Sequence, residues 1–147
     1  MSVATRSLCH WHAGNGSDWA DRSYREQHEI SAIDNRLHVN GKPIGSASLQ
    51  IRPADKLFEV RDRQYRGGLD ISISTEGRLV LMEQLPLEDY IRSVVPSEMP
   101  ARWPMNALRA QAVAARTFAA HRMQNKNGRR WMSRLDLAYK GVDGEYP

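Results

Sequence analysis

Apolar and polar residues alternate with a period of two through the first half of the chain, and the period lengthens to that of a helix in the second. Arg36-Leu-His-Val-Asn40 alternates and runs into Asn40-Gly41, a pair that favours a two-residue hairpin turn. Lys42-Pro-Ile-Gly45 opens the return arm. Ser48-Leu-Gln-Ile-Arg52, Leu57-Phe-Glu-Val-Arg61 and Leu69-Asp-Ile-Ser-Ile-Ser74 alternate in the same way. Glu76-Gly77 predicts a further turn, followed by Arg78-Leu-Val-Leu-Met82. This half is expected to form short antiparallel strands. Residues 1–27 show neither period and are expected to form a poorly ordered leader.

Leu85-Pro-Leu87 then opens a helix. Proline near the first turn lacks only a donor that would have no partner there, and Glu88 and Asp89 complement the positive helix start. Pro96 disfavours helical geometry in the residue before it, so the helix is expected to stop near Val95. Residues 96–103 are expected to be a loop. Pro104 opens a second helix through about Met123. Met105, Leu108, Ala112, Ala115 and Ala119 recur at three- and four-residue steps and mark its apolar face. Asn125 to Arg130 is an exit loop, and Leu135 to Tyr139 would start another strand. The expected fold class is α+β: short antiparallel strands followed by a helix-loop-helix core that carries the site.

Composition adds few constraints. The 147 residues carry a net charge of +4, with 17 arginines against 4 lysines. Arginine suits flat contact with carboxylates and phosphates, so an anionic partner fits, although a solvated basic surface is the plainer reading. Charge alone would admit a nucleic-acid binder, but no recognition motif supports one, and none is expected. The single cysteine, Cys9, cannot form an internal disulfide. Cys9-His10-Trp11-His12 holds metal-capable side chains without a second cluster to complete a site. No stretch approaches the ~20 apolar residues of a membrane span, and no apolar run follows Met1 as in a signal peptide.

The run Leu85-Pro-Leu-Glu-Asp-Tyr-Ile-Arg-Ser-Val-Val-Pro-Ser-Glu-Met-Pro-Ala-Arg-Trp-Pro, continued by Met-Asn-Ala-Leu-Arg-Ala-Gln-Ala-Val-Ala-Ala-Arg-Thr-Phe-Ala119, resembles the signature of the stage II sporulation protein D / LytB amidase-enhancer family. Tyr65-Arg-Gly-Gly-Leu-Asp-Ile resembles the strand that leads to it. The resemblance implies a domain over residues 28–147 that acts on peptidoglycan in the cell envelope. It implies either a lytic transglycosylase, with Glu98 as the catalytic residue, or a non-catalytic enhancer of an N-acetylmuramoyl-L-alanine amidase. Family members usually continue past a segment like Tyr139-Lys-Gly-Val142 into a Ser/Gly-rich region that helps complete the cleft; this chain stops at Pro147 and is expected to lack that part. Some members hold zinc through Cys and His in this stretch. Residues 124–140 contain neither, so no metal is expected, and no cofactor is implied.

A lytic transglycosylase works with one carboxyl group. The acid protonates the oxygen between N-acetylmuramic acid and N-acetylglucosamine, and the carboxylate then takes the proton of the C6 hydroxyl as that oxygen closes on C1. Two carboxylates at a set separation are not required, unlike in an ordinary glycosidase. A general acid near neutral pH has to hold its proton, which burial achieves. Met99, Trp103 and the neighbouring prolines are the expected apolar wall, and an inward Arg102 would oppose it. Gln111 and Arg116 would contact substrate or, the plainer reading, hydrogen-bond the loop bearing Glu98. Trp103 would stack on a sugar or, more simply, lie buried between the helices.

Overall fold

Alternating apolar residues between Ile30 and Ile71 put one face of several strands into a shared core. The computed structural model describes residues 2–5, 9–13, 19–22, 27–124 and 137–145. Within them the chain divides into two compact units, Met1–Leu85 and Pro86–Pro147. The boundary falls inside the span read from sequence as one domain.

The first unit is all strand. Strands β1 (Ser2–Thr5), β2 (Cys9–Ala13) and β3 (Trp19–Arg22) are followed by β4 (Gln27–Ile33), β5 (Arg36–Val39), β6 (Lys42–Pro43) and β7 (Ser48–Pro53). Then come β8 (Leu57–Val60), β9 (Arg63–Arg66), β10 (Gly68–Ile73) and β11 (Leu79–Gln84). They form two antiparallel sheets, ordered β6-β5-β4-β1-β8-β9 and β11-β10-β7-β2-β3. The stretch 1–27, expected to be a leader without elements, therefore holds three paired strands. Their partners are distant in sequence: β1 lies between β4 and β8, and β2 pairs with β7. Local periodicity does not encode pairing of that kind.

Register explains the core. Leu69 stands opposite Ile51 and Ile71 opposite Leu49, so four branched side chains share one face. Ile30, Leu37 and Phe58 complete the buried cluster. Phe58 stacks on its cross-strand neighbour Tyr65 with ring centroids 5.6 Å apart. Turn chemistry sets this register. Asn40 and Gly41 have φ of 50° and 75°, the pair of positive values a type I′ turn requires. Asn40 Oδ1 also accepts the amide of Glu29 at 2.8 Å. Two further hairpins, at Asp34-Asn35 and Arg61-Asp62, use positive φ without glycine.

The second unit holds α1 (Leu87–Glu98), α2 (Met105–Gln124) and a 3-10 turn, Gly141–Gly144. Helix α1 does not stop at Val95. It passes through Pro96 and ends at Glu98, with the Met99 amide donating to Val95 O at 3.0 Å. Proline costs a helix one donor and crowds the preceding turn. Here it sits in the last turn, where few bonds remain to lose, and Val94 and Val95 pack into the unit's core. Ile91, Val94 and Ala115 form that core, with Tyr90, Ala112, Leu137 and Tyr139 against it. On α2 the predicted face holds at Leu108, Ala112, Ala115 and Ala119, but Met105 is 61% exposed. The strand expected to start within 135–139 is absent from its described part: Leu137 and Ala138 form a turn. The exit loop 125–130 lies outside the described residues.

Candidate functional site

The helical unit gathers polar side chains on α1. Tyr90, Ser93, Val94, Ser97 and Glu98 recur at three- and four-residue steps and so share one side of the helix. Segment 137–145 lies along that side. Glu98 Oε1 accepts the Ala138 amide at 2.6 Å. The Lys140 amide meets Ser93 Oγ at 3.4 Å, and Tyr139 stacks on Tyr90 with centroids 5.4 Å apart. Ser93 is 1% exposed. Gly144 lies so close to α1 that a Cβ there would overlap Ser93 Oγ and stand 2.9 Å from Ser97 Oγ. The Ser97 hydroxyl is buried with no hydrogen-bond partner among the described residues.

Glu98 is thus on a helix end rather than in a loop, and its residue is exposed rather than enclosed by an apolar wall. The reason is local. The last turn of α1 faces the open connection to α2, and Arg102 and Trp103 in that connection are exposed too. Trp103 is 47% exposed, so it is not buried between the helices; its amide closes a turn onto Pro100 O at 3.0 Å.

Arg116 does not reach the Glu98 turn. Its Nε and one terminal nitrogen donate to the two carboxylate oxygens of Glu88 at 2.6 and 2.7 Å, a fork joining α2 to the first turn of α1. The hydrogen bonds from Arg116 hold the Glu88 carboxyl below its usual pKa, and Glu88 in turn raises that of Arg116. Gln111 is half-buried on α2, one turn before Ala115. The structure therefore assigns Arg116 a bracing contact and brings Glu98 together with Ser93, Ser97, Ala138 and Gly144. Sequence reasoning missed the last four. The signals were Ser93 and Ser97 four apart on one helix, and the paired glycines at 141 and 144.

Among the described residues no cluster of His, Cys, Asp or Glu has the make-up of a metal site. No helix among them is long and apolar enough to cross a membrane.

Residues 75–147 match the family model described as Stage II sporulation protein. An uncharacterized protein of Brachyspira hyodysenteriae is 35% identical over 105 residues, which is 67% of this chain and 27% of that relative. The stage II sporulation protein D of Bacillus subtilis is 55% identical over 42 residues, 29% of this chain and 12% of the relative. That of Bacillus amyloliquefaciens is 52% identical over 42 residues, with the same coverage. The chain thus spans about a quarter or less of the length of these relatives. No solved structure matches it.

Proposed function

This chain belongs to the stage II sporulation protein (SpoIID) family through residues 75–147, and on that premise we propose that it remodels peptidoglycan in the cell envelope as a lytic transglycosylase with Glu98 as general acid and then base. One observation supports the reading above the others. One oxygen of Glu98 is fixed by a backbone amide, and the other has no partner among the described residues, on an exposed helix end. A carboxyl held by one oxygen on an exposed helix end suits proton transfer to an incoming glycan.

In the reaction, Glu98 gives its proton to the bridging oxygen as the bond to C1 of N-acetylmuramic acid breaks. The C6 oxygen bonds to C1, and its proton returns to Glu98. Exposed Trp103, five residues on, offers a ring on which a sugar face can stack. Arg116 acts by bracing the helices through Glu88, and half-buried Gln111 is a candidate substrate contact. The test is digestion of purified glycan strands, with 1,6-anhydromuramic ends read by mass spectrometry. The wild-type chain is expected to produce them and Glu98→Gln to lose them by roughly 100-fold or more. Equal yields overturn the assignment.

The exposure of Glu98 favours a second reading, that of a non-catalytic enhancer of an N-acetylmuramoyl-L-alanine amidase, because a catalytic carboxyl ordinarily sits in a cleft and an accessible one suits contact with a partner. Amidase stimulation that survives Glu98→Gln supports it, and an unchanged amidase rate in a reconstituted assay excludes it.

A further inference from the structure

The proton-transfer reading uses one contact of segment 137–145, the Ala138 amide, and leaves the rest of its tight seat on α1 without a role. Three contacts define that seat. The Ala138 amide donates to Glu98, the Lys140 amide approaches Ser93 Oγ, and the 3-10 turn presses Gly144 against Ser93 and Ser97. The third contact leaves no room for a Cβ unless its neighbours shift. A Cβ on residue 144 would overlap Ser93 Oγ and stand 2.9 Å from Ser97 Oγ and 3.0 Å from Ser93 O, the last being helix backbone that cannot swing aside. Among the described residues the Ser97 hydroxyl beneath the seat is buried without a partner. Proteins rarely bury a polar group in that state, so the close approach is held against a cost.

We propose that segment 137–145 is a strap whose function is to orient Glu98, and that Gly144 is a positioning residue that seats it. Gly144 touches neither the carboxyl nor, in this reading, the glycan. It acts through the Ala138 amide, six residues earlier, which fixes Oε1 and thereby aims the other oxygen of Glu98. The proposal deepens the assignment of Glu98 as acid and base and rests on it.

The experiment uses the full 147-residue chain and three readouts: hydrogen exchange of the Ala138 amide, the side-chain carboxyl resonance of Glu98 by NMR, and kcat and KM on purified glycan strands. Gly144→Ala is expected to speed Ala138 exchange roughly tenfold and move the Glu98 resonance, while exchange in the β-strands stays unchanged. It is expected to lower kcat roughly tenfold with KM little altered. Adding Ser93→Ala and Ser97→Ala to that variant clears two of the three obstructing atoms and is expected to restore part of the protection. Glu98→Gln, which keeps an acceptor oxygen, is expected to retain Ala138 protection. Glu98→Ala is expected to lose it, and this variant reads the strap from the other side if Gly144→Ala fails to fold. Unchanged Ala138 exchange and an unmoved Glu98 resonance in Gly144→Ala overturn the proposal, as does unchanged exchange in Glu98→Ala. A raised KM with intact kcat replaces positioning by substrate binding. If the wild-type chain cleaves no glycan, the catalytic reading fails, and the exchange and resonance data still decide the strap.

Discussion

The two units reach stability by different means. The strand unit buries large branched side chains in paired register: Ile30, Leu37, Leu49, Ile51, Leu69 and Ile71 are all at most 2% exposed. Among its described residues the helical unit buries only two branched side chains, Ile91 and Val94, alongside small ones. Ala115, Ala119 and Ser93 let its elements approach closely, and polar contacts fasten them: Arg116 to Glu88, Ala138 to Glu98. A core of branched residues fails when atoms are removed. Close contacts between small residues fail when atoms are added. The residues assigned to function sit among contacts of the second kind, where backbone is close enough to hold a carboxylate.

Four changes probe that contrast, in descending order of effect. Ile71→Ala leaves a cavity between the strands and is expected to destabilise the β unit by about 2–5 kcal/mol, measured by urea unfolding. If Ile71→Ala costs less than the next change, the contrast is reversed. Ala115→Leu overfills the helical core and is expected to cost about 1–3 kcal/mol, while leaving amide exchange in β7 and β10 untouched. Asn40→Gly keeps the positive φ but removes the acceptor for the Glu29 amide; about 1 kcal/mol is expected, from the same urea series. Last is pH. The Glu88 carboxyl is held below its usual pKa by Arg116, so its contribution is complete above the ordinary glutamate value of ~4.3. That contribution fades as pH falls below this value through the lowered native one. The pair is exposed, so the effect is small and salt weakens it. Thermal melts of wild type and Glu88→Gln are expected to differ above pH 5 and to converge near pH 2. Melts that stay apart in acid remove Arg116 as the brace.

Much of this was legible in the chain. β5, β7, β8 and β10 follow from alternation, β11 from the apolar run after the Glu76-Gly77 turn, and Asn40-Gly41 from turn chemistry. β4 was not read, because Ser31 and Ala32 interrupt its pattern and its turn, Asp34-Asn35, lacks glycine. β9 was missed because Arg63-Gln-Tyr-Arg66 is almost wholly polar; its strand exists through pairing with β8. The end of α1 was misplaced because the rule at Pro96 describes local backbone preference, whereas packing of Val94 and Val95 acts over the whole unit.

By itself the sequence determined the family signature, the α+β order and the residue types able to do acid–base chemistry, since these depend on neighbours along the chain. Which side chains meet was decided only in three dimensions. Arg116 finds Glu88 across 28 positions and Ala138 finds Glu98 across 40. No local periodicity spans such distances; helix packing and the close approach of a glycine bring those atoms together.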